Sequence, residues 1–234
     1  MKIMTFNTQH CLNYIERHID FDIMAKAIND QGADIVGLNE MRGQGAHPHY
    51  IEQVKKLSEL TGLKYWYFAE AIRFDVGGVN PFGNGFLSRY PIVSAETVMI
   101  PDPDPKTGKN YYETRCVLKA KLEGDITVLV SHFGLNDDEA ENAVKTVLEN
   151  LADEKCILMG DFNLTPDDKI LKPIFERMKD TAELFTEPQF SFPSDKPDQK
   201  IDYIFVSRDI EVISAEIPPV VASDHRPHTA TVNI

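Results

Sequence analysis

Short apolar segments alternate with polar turns along most of the chain, and the pattern predicts many β-strands. The apolar runs are rich in Val, Ile, Phe and Tyr, the residues that a pleated strand favours. They predict strands at residues 2–7, 34–39, 64–71, 84–88, 92–99, 115–122, 125–132, 156–160, 201–206, 211–216 and 228–233.

Three longer segments place apolar residues three and four positions apart, which is the spacing of one helix face. They predict helices over residues 20–31, 49–61 and 136–152. Gly32 and Gly62 follow the first two segments and are typical helix stops. Asn136 can cap the third helix, and Glu139 is placed to complete a capping box. Strands that alternate with helices early and form hairpins later indicate an α/β layer structure with mixed sheets.

Length and composition are those of a globular protein, and we expect one domain over residues 1–234. Apolar residues make up 42% of the chain, which is ordinary for a protein with a substantial core. The three cysteines, Cys11, Cys116 and Cys156, are odd in number and far apart in the chain. This spacing fits neither a disulfide framework nor a zinc site.

Charge and hydropathy limit the partners and the location to be expected. Acidic residues outnumber basic ones by 37 to 24, so the formal net charge is −13. That balance argues against a broad cationic surface for nucleic acid or anionic lipid, although a bound cation can reverse the sign at one site. The chain opens on a strand pattern and contains no apolar stretch of about 20 residues. We expect a cytoplasmic protein without membrane insertion, a removed signal peptide being the alternative.

Residues with catalytic or ligand chemistry follow the apolar runs, at the points where the predicted strands end. Carboxylates lie there beside amides or imidazoles, a mixture that suits a hard divalent cation next to a phosphate ester. The segments are Phe6-Asn7, Leu38-Asn39-Glu40, Ser131-His132, Gly160-Asp161-Phe162-Asn163, Ile201-Asp202 and Ser223-Asp224-His225.

Glu40 is the strongest single candidate for a metal ligand. It ends the apolar run 35–40 and so brings a carboxylate to the rim of a sheet, where α/β proteins bind ligands. Magnesium takes one or two protein carboxylates together with water and phosphate oxygens. A solvated strand-end charge is the alternative for Glu40 considered alone.

Asp161 and Asn163 stand two positions apart, so in extended chain their side chains point the same way. An aspartate at such a site can orient or deprotonate a water, and an asparagine can donate to a phosphoryl oxygen. An Asx turn leading to Pro166 explains the pair equally well.

Two histidines are placed to serve as a base or a phosphate contact. His225 follows Asp224 in a polar stop before the last strand. Asp202 lies in an otherwise apolar strand and needs a partner, and this imidazole would be a suitable one. His132 ends another apolar strand, and a purely structural imidazole is the alternative for it.

Taken in order, these motifs resemble the endonuclease/exonuclease/phosphatase superfamily, the deoxyribonuclease-like metal-dependent phosphoesterases. The matching segments cover nearly the whole chain: Thr5-Phe6-Asn7, 33–40, 83–92, Ser131-His132-Phe133, 160–163, 201–205 and 223–225. The resemblance implies a four-layer sandwich of two mixed β-sheets flanked by helices. It also implies a hydrolase of phosphoric esters that depends on Mg²⁺, with Mn²⁺ as the alternative.

The resemblance further implies roles for residues at the metal and the scissile phosphate. Glu40 would be the metal ligand, Asn7 would neighbour the ion, and Asp224 would help to hold a metal, at this or at a second site. His225 would face the scissile phosphate, and Asp202 would orient its ring.

The remaining implied roles concern the water and the leaving group. Asp161 would position or deprotonate the attacking water, and Asn163 would contact the phosphoryl oxygens. His132 would be the second imidazole, acting on the leaving group. Glu70 matches the acid that orients this histidine in the deoxyribonuclease branch.

The chain departs from the family pattern at two positions near the predicted metal. Asn39 stands where the family usually has Gln, and Cys11 stands where it often has Gly, but neither change removes a ligand. Whether His10 and Cys11, close to Asn7 in the chain, face the site stays open.

The substrate is expected to be a small phosphorylated metabolite or a lipid headgroup. The chain is acidic, and it lacks both an Arg-rich insertion for gripping a duplex and a long apolar hairpin for entering a membrane. A nuclease acting on DNA or RNA is the alternative enzyme, and the choice between phosphatase and phosphodiesterase is open. A non-catalytic binding module on the same fold is the alternative from another functional class.

Overall fold

The computed structural model describes residues 1–45, 51–73 and 81–234. Within those ranges the chain forms twelve β-strands and four α-helices. The strands are β1 (Lys2–Asn7), β2 (Ile35–Arg42), β3 (Tyr65–Ile72), β4 (Phe82–Ser88), β5 (Ile92–Met99), β6 (Cys116–Leu122), β7 (Ile126–His132), β8 (Cys156–Asp161), β9 (Lys179–Asp180), β10 (Asp202–Val206), β11 (Glu211–Glu216) and β12 (His228–Asn233). The helices are α1 (Phe21–Gln31), α2 (Gln53–Thr61), α3 (Asp137–Asn150) and α4 (Lys172–Arg177).

All eleven strands expected from the apolar runs are present, with ends that differ by at most three residues. The two-residue strand β9 and the six-residue helix α4 were not predicted, because neither is long enough to show a hydrophobic period. The helix predicted over 49–61 begins at Gln53, and its first two predicted positions lie outside the described residues.

The helix ends follow the predicted capping chemistry. Asp20 accepts hydrogen bonds from the first-turn amides of α1, and Gly32 ends that helix in the left-handed conformation with φ of 62°. Asn136 and Glu139 form the expected capping box at the start of α3. None of the helices in the described ranges combines the length and the apolar character that crossing a bilayer requires.

The described strands form two six-stranded mixed sheets. The first has the order β11-β12-β1-β2-β4-β3, and the second has the order β5-β6-β7-β8-β10-β9. In the first sheet β1 and β2 run parallel, and in the second β7 and β8 do so, while the other pairings are antiparallel. Because each parallel pair ends at the same rim of its sheet, the C-termini of β1, β2, β7 and β8 become available for one site.

The two sheets pack face to face, with helices on both outer faces. Apolar side chains of both sheets fill the space between them, including Ile3 and Ile35 from the first and Val130 and Met159 from the second. A second apolar cluster joins α1 and α2 to the first sheet, and a third joins α3 and α4 to the second. The four-layer sandwich expected from the sequence is therefore confirmed.

Candidate active site

The polar strand-end residues converge at one rim of the sandwich, where both sheets contribute. Asn7 and Glu40 come from the ends of β1 and β2, and His132 and Asp161 come from the ends of β7 and β8. Asp202 begins β10 directly opposite Asp161, with which it is in register. Asp224 and His225 lie in the turn that leads into β12.

Asn7 joins the two sheets through its side-chain amide. Its Nδ2 lies 3.0 Å from Glu40 Oε1 and 3.0 Å from Asp161 Oδ2, so one NH₂ group bonds two carboxylates. Its Oδ1 accepts from the backbone N–H of Gln9 at 3.0 Å. The predicted neighbour of the metal is thus held between Glu40 and Asp161, which lie 121 positions apart in the chain.

Asn39, noted in the sequence only as a departure from the family pattern, is a second bridge between the sheets. Its Nδ2 donates to Asn84 Oδ1 at 2.9 Å and to the Ser131 carbonyl at 3.0 Å. Its Oδ1 accepts from the Asp161 backbone N–H at 3.0 Å. A buried amide with both ends satisfied holds Asp161 in place, so the shorter side chain here is structural.

Replacing Asn39 by leucine should destabilise the fold measurably. The change removes three buried hydrogen bonds and leaves the Ser131 carbonyl and the Asp161 N–H without this partner. We expect the free energy of unfolding to fall by about 2–4 kcal/mol, measured by urea denaturation. Asn29→Ala, at an exposed amide on α1, is the control and should shift it by less than about 0.5 kcal/mol. A loss for Asn39→Leu no larger than the control's would contradict the bridging role.

Glu40 sits at an irregularity of β2 that turns its side chain toward the rim. The register of β2 against β4 shifts between Leu38 and Met41, and Glu40 has a φ of 59°, in the left-handed region. Such a φ is uncommon outside glycine and is frequent at functional sites. Burial raises the pKa of Glu40, and the nearby carboxylate of Asp224 raises it further, against the hydrogen bond from Asn7.

The donor chemistry around Glu40 fits a hard divalent cation. Glu40 and Asp224 present oxygen ligands, and their mutual repulsion is the kind of unfavourable charge that a bound dication relieves. Asp224 is half-buried, and its Oδ1 accepts a hydrogen bond from Ser223 Oγ at 3.0 Å. Glu40 and Asp224 are therefore the residues that could hold Mg²⁺, with the predicted neighbour Asn7 orienting Glu40 through its NH₂ group.

Another group of possible ligands lies deeper, within the described residues. Asp161, Asp202 and His225 each offer one atom within 4.8 Å of the others, and all three are buried. The contacts favour a hydrogen-bonded dyad, since His225 Nδ1 lies 2.8 Å from Asp202 Oδ2. A ring that bonds its Nδ1 to a carboxylate at that distance directs its Nε2, and not Nδ1, toward any ligand.

The Asp202–His225 pair is the predicted one, and the structure shows how it is held. Asp202 is fully buried, and its Oδ1 has no hydrogen-bond partner among the described residues. The ring of Phe192 lies 4.8 Å from the His225 ring, centroid to centroid, and His225 Nε2 lies 3.6 Å from Asp161 Oδ2. Burial alone would lower the pKa of His225, but the carboxylates of Asp202 and Asp161 outweigh it and raise the pKa to about 10.

Of the two interpretations of Asp161 and Asn163, the structure shows the Asx turn, which leaves one carboxylate oxygen of Asp161 directed at the cleft. Asp161 Oδ1 accepts from the Asn163 backbone N–H at 2.9 Å, which is an Asx turn. Asp161 Oδ2 meanwhile faces Asn7, His132 and His225. Burial and the carboxylate of Asp202 raise the pKa of Asp161 to about 7, against the imidazole of His225.

Gly160 shows why this strand ends as it does. Its φ is 145°, and a Cβ there would lie 1.8 Å from the Ser131 carbonyl oxygen. Only glycine lets β8 approach β7 this closely, which places Asp161 beside His132 at the rim.

His132 has a partner that differs from the predicted one. Its Nδ1 lies 2.7 Å from Arg115 Nη1, and its Nε2 lies 3.5 Å from Asp161 Oδ2 and 3.2 Å from Asn163 Nδ2. Glu70 is half-buried near the end of β3, and its ion pair is with Arg73, at 3.3 Å. The structure thus brings an arginine, and not the carboxylate of Glu70, to the ring nitrogen that was expected to bond an acid.

Arg115 was missed because its signal is weak in sequence. It lies at the first position of a predicted strand, where an arginine side chain is usually exposed to solvent. Knowing that its strand pairs antiparallel with the strand of His132 would have revealed it, because Val117 pairs with Ser131. Cys11, by contrast, is fully buried in the cluster under α1, and burial raises the pKa of its thiol to about 12, so it packs away from the rim.

Comparison with known proteins gives the family and supports the fold. The model of the Endonuclease/Exonuclease/phosphatase family matches residues 4–225. A search of curated proteins by sequence found no match.

Many solved structures share the fold at low sequence identity. An endonuclease/exonuclease/phosphatase from Beutenbergia cavernae is 20% identical with a TM-score of 0.78, over 100% of this chain and 71% of that one. A mannosyl-6-phosphatase from Bacteroides thetaiotaomicron is 17% identical with a TM-score of 0.76, over 100% of both chains. The human Nocturnin catalytic domain with a bound sulfate anion is 16% identical with a TM-score of 0.71, over 100% of this chain and 94% of that one.

Proposed function

Because this chain belongs to the endonuclease/exonuclease/phosphatase family, whose members are in general phosphoesterase hydrolases, we propose that it hydrolyses a small phosphate ester with Mg²⁺. The ester is a phosphorylated metabolite or a lipid headgroup, and Mn²⁺ is the alternative ion. One observation carries the proposal: Asn7 joins Glu40 of one sheet to Asp161 of the other, and His225 faces that same Asp161 oxygen. Carboxylates and imidazoles distant in sequence thereby share one cleft.

The metal belongs on the Glu40 side of the cleft. Glu40 and Asp224 would hold it, because their carboxylates supply oxygen ligands at a place where negative charge is otherwise uncompensated. Asn7 would lie beside the ion. A bound Mg²⁺ supplies polarisation of a phosphoryl oxygen and takes up charge that develops on it.

The chain's own residues supply proton handling and orientation. Asp161 holds the attacking water or accepts its proton, and its raised pKa suits a base that works near neutral pH. His225 lies beside it as a cationic imidazole that stabilises negative charge on phosphorus oxygens, and Asp202 orients its ring. Asn163 adds an amide donor to the same face of the cleft.

A small substrate is favoured over nucleic acid by charge. A duplex is gripped through many phosphate contacts from Lys and Arg, whereas this chain carries a net charge of −13. Arg115, an arginine at the site, already contacts His132 and Glu113. The two alternatives, a nuclease and a non-catalytic binding module, are distinguished from a small-ester hydrolase by the test below.

The test is a hydrolysis panel with and without EDTA. A phosphomonoester, a phosphodiester with a chromogenic leaving group and supercoiled plasmid are incubated with the full chain in Mg²⁺ or in EDTA. We expect turnover of a small ester that EDTA abolishes and added Mg²⁺ restores. Plasmid nicking that is faster than any small-ester turnover would support the nuclease alternative.

The same panel includes a control against contaminating phosphatases. Asp161→Asn, purified in the same way, should lose about 10²–10³-fold in turnover, because an amide cannot accept the proton of water. Turnover that EDTA leaves unchanged would contradict the role of the metal. Absence of turnover on every ester class would favour the binding module.

A further inference from the structure

Arg115 is held against His132 by contacts on three sides. It lies directly before β6, its Nη1 is 2.7 Å from His132 Nδ1, and its Nη2 is 2.9 Å from Glu113 Oε2. Its guanidinium carbon lies 5.6 Å from the centre of the Phe82 ring. The side chain is 11% exposed, so the guanidinium is a fixed neighbour of the ring.

A guanidinium constrains the imidazole that it contacts. Arginine keeps its charge in proteins, donates through all five N–H groups and accepts nothing. At 2.7 Å, His132 Nδ1 must therefore offer its lone pair, and the ring must carry its single proton on Nε2.

On the basis of the proposed function, we infer that Arg115 fixes His132 as the neutral Nε2–H tautomer, so that this ring serves the substrate as a hydrogen-bond donor and not as a proton-transferring acid. Arg115 is in this sense a positioning residue. It sets which atom of His132 carries the proton and which way that proton points.

At Nε2 the contact that agrees with this tautomer is the one with Asp161. Nε2 lies 3.5 Å from Asp161 Oδ2, an acceptor for its N–H in the absence of substrate. Asn163 Nδ2, 3.2 Å from the same ring atom, is an amide donor that bonds the Phe133 carbonyl at 3.0 Å, so the Nε2–H points to Asp161 and not to this amide. The opposite tautomer would set an Nδ1–H against the guanidinium at 2.7 Å, and an imidazolium would add a second positive charge there.

The charges facing the ring act in the same direction. They are the guanidinium of Arg115, the carboxyl of Asp161 and the imidazole of His225. Burial lowers the pKa of His132 well below its usual value, and Arg115 and His225 lower it further.

The two imidazoles of the site consequently differ in kind. His225 bonds a carboxylate through Nδ1, and this contact favours the imidazolium form of His225. His132 bonds a cation through Nδ1, and this contact excludes the imidazolium form of His132. A leaving group would meet a neutral N–H on one side and an imidazolium on the other. The role of leaving-group acid that the family resemblance suggested for His132 therefore does not suit this chain.

The tautomer can be measured without any turnover. Imidazole ¹⁵N shifts and long-range ¹H–¹⁵N couplings are recorded on the metal-free protein at neutral pH, with His132→Gln to assign the ring. We expect an unprotonated Nδ1 and a protonated Nε2. An imidazolium or an Nδ1–H ring would overturn the inference, whether or not the protein hydrolyses any ester.

Arginine variants test the cause of the tautomer. Arg115→Lys keeps a donor that cannot accept beside Nδ1, and Arg115→Met removes it while retaining bulk. We expect the Nε2–H tautomer to persist in the first variant and to be mixed with other protonation forms in the second. Both variants should melt cooperatively, which shows that they are folded. An unchanged ring spectrum in folded Arg115→Met would show that Arg115 does not set the proton's position.

Kinetics on any ester that the protein hydrolyses provide a second readout. Glutamine at position 132 retains an N–H donor but cannot transfer a proton as an imidazolium does. We expect His132→Gln to stay within about tenfold of the parent kcat and His132→Ala to lose about 10²-fold or more. Equal losses in the two variants would contradict a donor role and restore that of an acid.

Discussion

Replacing Glu40 by alanine should abolish metal-dependent hydrolysis, with kcat/KM falling about a thousandfold or more. Glu40 is the carboxylate that the β2 irregularity turns toward the rim, and Asn7 orients it. In the proposed site the cation would then lose its principal oxygen ligand, so the remaining activity should no longer respond to added Mg²⁺. The measurement is kcat/KM across a Mg²⁺ titration for both proteins.

Although Glu40→Ala should lose activity, it should not lose stability in the absence of metal. The pKa of Glu40 is raised by burial and by Asp224, so in metal-free protein its charge is unfavourable. Removing it should leave the melting temperature in EDTA unchanged or higher by a few degrees. Adding Mg²⁺ should raise the melting temperature of the parent protein and leave that of Glu40→Ala unchanged, because binding to the native state stabilises it.

Glu59→Ala provides a matched control for Glu40→Ala. Glu59 lies on α2, is 53% exposed and pairs with Lys55 one helical turn away. We expect its Mg²⁺ response and its kcat/KM to equal those of the parent protein, since such exposed pairs contribute little. A Glu40→Ala protein that is still fully activated by Mg²⁺ would remove Glu40 from the metal site.

Breaking the Asp202–His225 dyad should reduce kcat by about 10²–10⁴-fold. Asp202→Asn keeps an oxygen that can accept from His225 Nδ1 but removes the charge that raises the pKa of the ring. His225→Ala removes the ring itself. Because both changes disable the same unit, the double variant should be no slower than His225→Ala, and the measured quantity is the coupling free energy from the four kcat values.

Asp180→Asn is the control for the loss of a buried aspartate. Asp180 is also almost fully buried, but it lies on β9 and its carboxylate bonds Lys200 Nζ, at 3.1 Å, and not a histidine. Its replacement should lower the free energy of unfolding and leave kcat per folded molecule unchanged. Strictly additive losses for Asp202→Asn and His225→Ala would mean that the two side chains do not act as one unit.

The sheet-forming segments could be read from the chain because they depend on local composition. Runs such as 126–132 and 156–161 are apolar and β-branched, and in this fold they lie buried between two layers. Likewise Gly32 and the Asn136–Glu139 box act within a few residues, so their effect is visible in sequence. Strand β9 and helix α4 depend on tertiary packing, and no local sequence pattern predicts them.

Partnerships between side chains were predictable only in part. Asp202 and His225 could be paired, because an isolated carboxylate in an apolar strand needs a partner of that kind. The partner of His132 could not, because Arg115 resembles any polar residue at a strand start. Asn39 likewise appeared as a conservative departure, although two of its three side-chain hydrogen bonds join the sheets.

The sequence by itself determined eleven of the twelve described strands, the family and most of the candidate site residues, since each follows from local pattern or from ordered motifs. Only the tertiary structure decided which atoms meet: that Asn7 bonds two carboxylates and that an arginine faces His132. The physical reason is that hydrogen bonding and charge act over a few ångströms in space. The packing of one sheet on the other brings residues within that range. No local sequence pattern specifies how the two sheets pack.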